Sequence, residues 1–492
     1  MPSLEMQTAK RTSFLHSKEF RCLIALAMGL ALAFGLQPIN GLTPMGVRAI
    51  AVIIPVLFLW LTVNTHWTCL LLFALLIMGQ VMTPSAVWAG SLGHFAPMLV
   101  LVFTLIADNL SETGAIDKVA AWFITRPFVR GKPYMFLAMF FLSNLVIGIF
   151  MQNLALTIIY IDLAVRICKK IGVEKGHSLY LCIMLGLIWT DSVVSIASPI
   201  AKTLPNIMIG TLYTQLGITV TYAQWLAVGI PYSIAMFVAI MICVFIFKPD
   251  VTPLKNLDVD QFAASVPPLT GRGKVSLITM GVLILFVLLP DVLMTAGWLV
   301  PIASYFVSIG VTVPAILAVV FLCQFKVQGE PVMDFVRSAK GVPLTLILFI
   351  AAVVVIGIPI GADATGIVAW MGNGLQPLVA GFSPLQIIMV LSLFALLVTN
   401  FISSAVTMVL FYNIGVALLM GSGVSLGAFG ILVGLAAAPT CLTPSASLTS
   451  PLFYGPDHLT VPETYKINLL NIALSFIIVI SMIPFVNAIV PA

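Results

Sequence analysis

Long, uninterrupted apolar runs constrain this chain more than any other feature of its sequence. The runs at 225–247, 344–360 and 467–486 approach or reach the ~20 residues that an α-helix needs to cross a bilayer. These runs are apolar throughout rather than alternating, which excludes the pattern of outer-membrane strands. Only 8% of the 492 residues are charged, against roughly 25% in soluble domains. We therefore predict an all-α polytopic membrane protein.

Cysteine, histidine and net charge point to no catalytic or metal chemistry. The seven cysteines and five histidines are dispersed through the chain without metal-ligand spacing. We predict packed thiols, no metal, no cofactor and no enzymatic activity. The net charge of +5 arises in loops and requires no nucleic-acid partner.

Loop charges predict the topology. Eighteen of the 22 Lys and Arg residues fall in the segments 1–21, 126–132, 166–175, 248–274 and 326–340. The positive-inside bias places these segments in the cytoplasm. The apolar stretch 133–165 lies between two of them, so it must enter and leave on the same side, as a re-entrant hairpin. No Lys or Arg occurs in 341–465, where 383–420 is predicted to be a second hairpin that dips from outside.

This threading gives about 11 transmembrane helices plus two opposed re-entrant hairpins in an inverted repeat. It also predicts a cytoplasmic N-terminus and an external C-terminus. The predicted units are a first half 1–250 with a broken helix at 178–213, a cytoplasmic linker 251–274, and a second half 275–492 with a broken helix at 424–458.

Two Thr-Gly segments support the repeat independently of the charges. Thr113-Gly114 and Thr365-Gly366 lie 252 residues apart. A polar break within an apolar stretch follows each segment at nearly the same distance, at Asn153 after 40 residues and at Ser404 after 39. Paired broken-helix units in a membrane chain are the best sequence indication of a transporter's binding site.

Proline positions predict where the two broken helices are interrupted. Pro199 and Pro205 bracket the first break, and Pro444 and Pro451 bracket the second. Irregular backbone at membrane depth is tolerated only where protein buries it or where it lines an aqueous cavity. Each element also has a simpler interpretation, since a proline can be a plain kink and Ser403-Ser404 can be packing between helices. The matched combination in two copies favours a site.

Lys202 is the residue with the sharpest functional signal. It lies between the two prolines of the first break with no basic neighbour. A lysine at the bilayer centre costs roughly 2.5–3.5 kcal/mol on insertion scales, so it is a functional candidate by default. The alternative is a structural ion pair, for instance with Asp191.

These motifs resemble the divalent anion:sodium symporter family of the ion-transporter superfamily, which includes citrate/succinate and tartrate/succinate antiporters. That family carries Ser-Asn-Thr at both hairpin tips and a Thr-x-Pro-Asn-like loop in the broken helices. The first loop here, 203–206, matches as Thr-Leu-Pro-Asn. The first tip, 152–154, reads Gln-Asn-Leu, the second tip, 403–405, reads Ser-Ser-Ala, and the last loop, 447–450, reads Ser-Leu-Thr-Ser without Pro-Asn.

The resemblance implies that the tips contact a substrate carboxylate and, with the loops, form two sodium sites. It also implies a homodimer in the bacterial inner membrane, with a periplasmic C-terminus, whose substrate-binding domain moves as an elevator against a fixed scaffold. Lys202 falls where the symporters have a glycine that helps to bind sodium. Our hypothesis is that its ammonium replaces a cation and makes transport independent of sodium.

The polar breaks and the resemblance together give one set of predicted substrate-contacting residues: Gln152, Asn153, Thr157, Lys202, Thr203, Asn206, Ser403, Ser404, Thr407, Ser447 and Thr449. Asn153, Lys202 and Ser404 are also candidates for vestigial sodium-site positions. The expected partners are a small anionic substrate, the lipid bilayer and a second copy of the chain.

Three functional hypotheses remain open from the sequence. The first is a secondary transporter of a di- or tricarboxylate by exchange or ion coupling, with a sodium-coupled symporter as its variant. The second keeps the fold but moves an inorganic oxyanion such as sulfate. The third is a channel or a membrane-embedded enzyme, for which neither a continuous polar stripe nor a nucleophile motif beside Lys202 is visible.

Overall fold

The structure is a computed structural model that describes residues 18–64, 66–200, 202–257, 268–454 and 458–491. It is almost entirely helical, and a short antiparallel pair of strands, Lys326–Val327 and Glu330–Pro331, is the exception among these residues. The all-α class is confirmed.

The first half contains helices α1 to α11. Their bounds are Lys18–Gly35 (α1), Pro44–Thr62 (α2), Trp67–Met78 (α3), Pro84–Gly90 (α4), Phe95–Glu112 (α5), Ala115–Ile124 (α6), Pro133–Gly148 (α7), Asn153–Lys170 (α8), Ser178–Ala197 (α9), Thr203–Leu216 (α10) and Tyr222–Phe247 (α11).

The second half contains the remaining described helices. Their bounds are Gly271–Thr295 (α12), Val300–Ile309 (α13), Thr312–Gln324 (α14), Phe335–Lys340 (α15), Leu344–Gly361 (α16), Ile367–Leu375 (α17), Pro384–Val398 (α18), Ser404–Leu419 (α19), Leu426–Ala437 (α20), Ser450–Tyr454 (α21) and Val461–Ile489 (α22).

Length and hydropathy identify the helices that can cross a membrane. Among the described residues, six helices pass, and eight do if each of two bent helix pairs counts as one crossing. The polytopic architecture is therefore confirmed. Several further apolar helices, such as α7, α19 and α20, are only 12 to 16 residues long. This is shorter than the ~20 residues that one crossing needs, so the total of about 11 crossings stays a prediction.

Helices separated by short non-helical segments lie at the positions of both predicted hairpins and both predicted breaks. Helices α7 and α8 are separated by a short tip at 149–152, and α18 and α19 by a tip at 399–403. Helix α9 ends at Ala197 and α10 starts at Thr203. Non-helical chain at 438–449 separates α20 from the short helix α21. The opposed orientation of the hairpins in the membrane stays a prediction.

The two Thr-Gly segments have the same backbone role in each half. Gly114 and Gly366 both adopt left-handed conformations, with φ of +69° and +65°, immediately before a short helix. A residue with a Cβ is disfavoured there, which explains the glycine. A 3-10 helix follows each short helix, at Pro127–Val129 and Gln376–Val379. The order of elements up to each hairpin is thus repeated.

The surroundings of these two glycines differ, which gives a matched test of stability. A Cβ on Gly366 would overlap the carbonyl oxygen of Gly41, whereas no atom lies within 4 Å of the Cβ position at Gly114. We expect Gly114→Ala to lose about 1 kcal/mol from the left-handed backbone alone. Gly366→Ala should lose clearly more, as measured by thermal unfolding in detergent. Equal losses for the two variants would contradict the close approach at Gly366.

The linker between the halves differs from its predicted bounds. Residues 258–267 lie outside the described residues, and residues 252–256 form a 3-10 helix. Helix α12 begins at Gly271, where the side chain of Thr270 accepts a hydrogen bond from the N–H of Gly273. The last four residues of the predicted 251–274 linker therefore belong to a helix. The sequence prediction missed this N-cap signal.

Candidate functional site

Asn206 satisfies the backbone groups that the first helix break exposes. Its Nδ2 donates to the carbonyl oxygens of Pro199 and Lys202, at 2.6 Å each, and its Oδ1 accepts from the hydroxyl of Tyr222 at 2.6 Å. The indole N–H of Trp225 donates to the carbonyl of Ile196 at 2.8 Å. Without such partners, carbonyls at this depth would be costly to bury. Side chains therefore hold the irregular backbone of the break in place.

Asn400 has the corresponding role at the second break. It lies at the tip of the second hairpin, fully buried. Its Oδ1 accepts from the N–H groups of Cys441 and Leu442 at 3.0 Å each, and its Nδ2 donates to the carbonyl of Pro439 at 2.9 Å. The hydroxyl of Tyr454 donates to the carbonyl of Cys441 at 2.5 Å. One amide thus binds the hairpin tip to the irregular segment.

The hairpin tips and the breaks meet at a cavity of about 190 Å³. This is many times the ~10–15 Å³ that one water requires. Eight of the 11 predicted substrate residues line it: Gln152, Asn153, Lys202, Thr203, Ser403, Ser404, Ser447 and Thr449. The structure therefore brings together most of the residues that the sequence selected, from both copies of the repeat.

Three predicted residues do not line the cavity. Thr157 lies behind the wall and donates to Oδ1 of Asp191 at 2.7 Å. Asn206 holds the break, as described above. Thr407 is fully buried one turn into α19, and its hydroxyl has no hydrogen-bond partner among the described residues. Their contacts with substrate stay a prediction.

Lys202 lies in the cavity wall with its side chain almost fully buried. The residue is 1% exposed. Its Nζ donates to the carbonyl oxygen of Met151, at the tip of the first hairpin, and to Oδ1 of Asn153. Lys202 forms no salt bridge with any residue that the structure describes. The direct partners of its ammonium are two neutral oxygens, and Asp191 interacts with Lys202 electrostatically without forming a salt bridge with it.

Asp191 is a second charged group in the same cavity wall. It is 4% exposed and lies in α9, before the break. Its Oδ1 accepts from Thr157 and its Oδ2 from Thr449, at 2.7 and 2.5 Å. The Nδ2 of Asn153 donates to its backbone oxygen at 3.2 Å. Asn153 therefore connects the lysine and the aspartate, and Asp191 connects the two copies of the repeat.

Three helix N-termini face the cavity. The first residues of α8, α10 and α19 all line it, namely Asn153-Leu154, Thr203-Leu204 and Ser404-Ala405. Side chains do not cap the helix at Lys202 or at Ser403. The free N–H groups and the positive ends of helix dipoles favour an anion. Together with Lys202, they make this cavity suited to a small anion.

Sequence reasoning missed several residues of the site. His66, Ser195, Thr345, Phe349 and Thr440 also line the cavity. His66 and the two α16 residues, Thr345 and Phe349, come from outside the hairpins and breaks, so no repeat pattern could have selected them. Asn400 carries a detectable signal, because it is an amide at the end of an apolar hairpin arm. Asp191 carries the same kind of signal and was considered only as an ion-pair partner.

Comparison with known proteins identifies the family. The citrate transporter (CitMHS) family profile matches residues 55–438, which is more than half of the chain. The chain belongs to the citrate transporter family. It is 24% identical over 471 residues to a protein named sodium-dependent dicarboxylate transporter SdcS from Staphylococcus saprophyticus, covering 91% of this chain and 88% of that relative. It is 21% identical over 474 residues to an uncharacterized transporter from Haemophilus influenzae, covering 93% and 96% of the two chains.

The family confirms the resemblance that the sequence motifs predicted. The protein is a multi-pass membrane transporter of anions, and the citrate transporter family and both relatives are transporters rather than enzymes. The specific anion, the coupling ion and the mode of movement are separate questions.

Proposed function

We propose that this protein exchanges di- or tricarboxylates across the membrane by secondary active transport that does not use sodium. The observation that carries the proposal is the position of Lys202, whose ammonium is held by the oxygens of Met151 and Asn153 inside the cavity. Substrate carboxylates would bind near this ammonium and near the N-termini of α8, α10 and α19.

The two oxygens that hold Lys202 are of the kind that bind sodium in transporters. Unwound backbone carbonyls and side-chain oxygens coordinate sodium at broken helices. In this protein a covalently attached ammonium occupies those oxygens. They are therefore not free for a second cation, which supports sodium independence at the first copy. Asn153 and Lys202 would then be the remnants of a sodium site.

A carboxylate is favoured over an inorganic oxyanion by the family. The profile that matches is that of citrate transporters, and one relative is named for dicarboxylates. The cavity also offers several neutral donors around the cation, including Ser403, Ser404 and Thr203. Such groups suit a molecule with two or three separated carboxylates better than a compact, symmetrical ion.

An elevator movement fits the composition of the cavity walls. The hairpins and broken helices supply most of the polar lining, whereas α16 contributes Leu346 and Phe349 beside Thr345. Apolar side chains on α16 would let the polar elements slide past with their substrate. We propose that the hairpins and broken helices move as one unit, in a homodimer of the bacterial inner membrane with the predicted orientation.

Uptake into proteoliposomes tests the proposal. Labelled citrate, succinate, malate and sulfate would be offered outside, with and without sodium and with and without the same unlabelled anion inside. We expect one or more carboxylates to enter only when internal carboxylate is present, irrespective of sodium. Uptake of sulfate alone would favour the oxyanion hypothesis, and uptake that strictly requires sodium would favour the symporter.

A further inference from the structure

We infer that Asp191 makes the transporter select carboxylates that also carry a hydroxyl group. This inference rests on the proposed function, since it concerns which carboxylate the same cavity accepts. Neither the motif positions nor the family assignment gives a role to Asp191. The carboxylate of Asp191 makes two side-chain hydrogen bonds and has further acceptor positions.

The carboxylate of Asp191 is anchored but not saturated. Two oxygens of an ionised carboxylate offer about four acceptor positions. Thr157 occupies one position on Oδ1 and Thr449 one on Oδ2. Asp191 lines the cavity, as does its partner Thr449, and our inference is that the remaining positions accept from a molecule bound there. The two threonines also fix the direction in which the carboxylate points.

The carboxylate of Asp191 affects which anions can bind in the cavity. A carboxylate of the substrate cannot donate to Asp191 and is repelled by it. A substrate without a donor would displace water and leave buried acceptor positions unpaired, which costs free energy. A hydroxyl next to a substrate carboxylate donates a hydrogen bond to Asp191 while the carboxylate itself lies towards Lys202. A substrate with both groups therefore matches the two charged residues of the wall.

A hydroxyl fits better than an ammonium as the donor. Lys202 lies in the wall of the same cavity and already supplies one positive charge against the one negative charge of Asp191. A substrate ammonium would add a second positive charge beside Lys202. A hydroxyl supplies the hydrogen bond without charge. Hydroxy di- and tricarboxylates are thus the substrate class that this wall favours.

Pairs of anions that differ by one hydroxyl test the inference. Malate and succinate form one pair, and citrate and tricarballylate form another. We expect the wild type to prefer the hydroxylated member of each pair by about 10- to 150-fold in kcat/KM, which is the range for a hydrogen bond to a charged group. In Asp191→Asn only a neutral acceptor remains, so the preference should fall by about 5- to 10-fold. The exposed Asp162 of α8 provides the control Asp162→Asn, which should keep the wild-type preference.

A second measurement needs no variant and covers the case in which Asp191→Asn fails to fold. 2-Fluorosuccinate has a substituent similar in size to a hydroxyl but cannot donate. The wild type should treat it like succinate. Equal transport of 2-fluorosuccinate and malate would overturn the inference, as would wild-type parity within the pairs or an Asp191→Asn protein that keeps the preference. A merely structural role would lower transport of both members equally. If the wild type transports no carboxylate at all, the proposed function fails and the inference with it.

Discussion

Replacing Lys202 by glycine is expected to lower sodium-independent exchange strongly and to make the remaining transport depend on sodium. The substitution removes the ammonium that the oxygens of Met151 and Asn153 hold. Losing hydrogen bonds of this charged kind costs about 1.5–3 kcal/mol, so transport should fall by about 10- to 150-fold without sodium. Glycine also opens space in which a sodium ion can bind the same oxygens. Rates in proteoliposomes with and without sodium measure both effects.

Two further variants show whether the space or the charge is responsible. Lys202→Gln removes the charge but fills the space, so its transport should fall without any recovery in sodium. Lys466→Gln changes an exposed lysine of α22 and should behave as wild type. An unchanged rate for Lys202→Gly would assign Lys202 to structure alone. A loss that sodium does not relieve would argue against the idea that its ammonium replaces a cation.

Replacing Asn400 by alanine is expected to have the largest effect on stability. Its amide serves Pro439, Cys441 and Leu442 in the second break as well as Leu396 in the hairpin. Each buried backbone group left without a partner costs about 1–3 kcal/mol, so the loss should be about 3 kcal/mol or more. Thermal unfolding in detergent should show a clearly lower Tm, and transport should be lost because the second tip is no longer held in place.

Asn373→Ala is the matched control for Asn400→Ala. Asn373 is exposed, and its Nδ2 donates to the carbonyl of Asn40 at 3.0 Å. Water can replace this bond, so the change in stability should stay within about 0.5 kcal/mol. If the two variants unfold at the same temperature, the second break is not fixed by Asn400.

The sequence predicted the elements that carry strong backbone signals. The two segments that loop charges predict as hairpins each contain two helices joined by a short tip, and prolines predicted the interruption between α9 and α10. The left-handed glycines at 114 and 366 mark equivalent points of the two halves. These features follow from local chemistry, since a proline or a glycine constrains its own backbone and a basic loop constrains the side of the membrane that it occupies.

Pairings between distant residues could not be predicted in the same way. Thr449 and Asp191 are 258 positions apart in the chain, yet their side chains form a hydrogen bond. Asn206 was expected to contact substrate, but it holds the backbone of the break. A buried amide can serve a ligand or a carbonyl equally well, and only the packing of Tyr222 and the break around it decides between them.

The two copies of the repeat contribute different side chains to the cavity, and this difference bears most on function. The first copy contributes Lys202 and Asn153, and the second contributes small hydroxyls such as Ser403 and Thr449. The hydroxyl of Thr449 in the second copy donates to Asp191 of the first, so both copies contribute to the wall of one cavity. The ammonium of Lys202 belongs to the first copy, where the oxygens of Met151 and Asn153 hold it. Our proposal that transport does not need sodium rests on this ammonium.

Counterflow in sodium-free buffer tests that claim most directly. Proteoliposomes that contain the wild-type protein would be loaded with unlabelled citrate or malate in potassium or choline buffer and diluted into the labelled anion, beside empty liposomes. The account predicts label accumulation above the empty-liposome level, with a rate that added sodium does not change. Accumulation that appears only after sodium is added would contradict it.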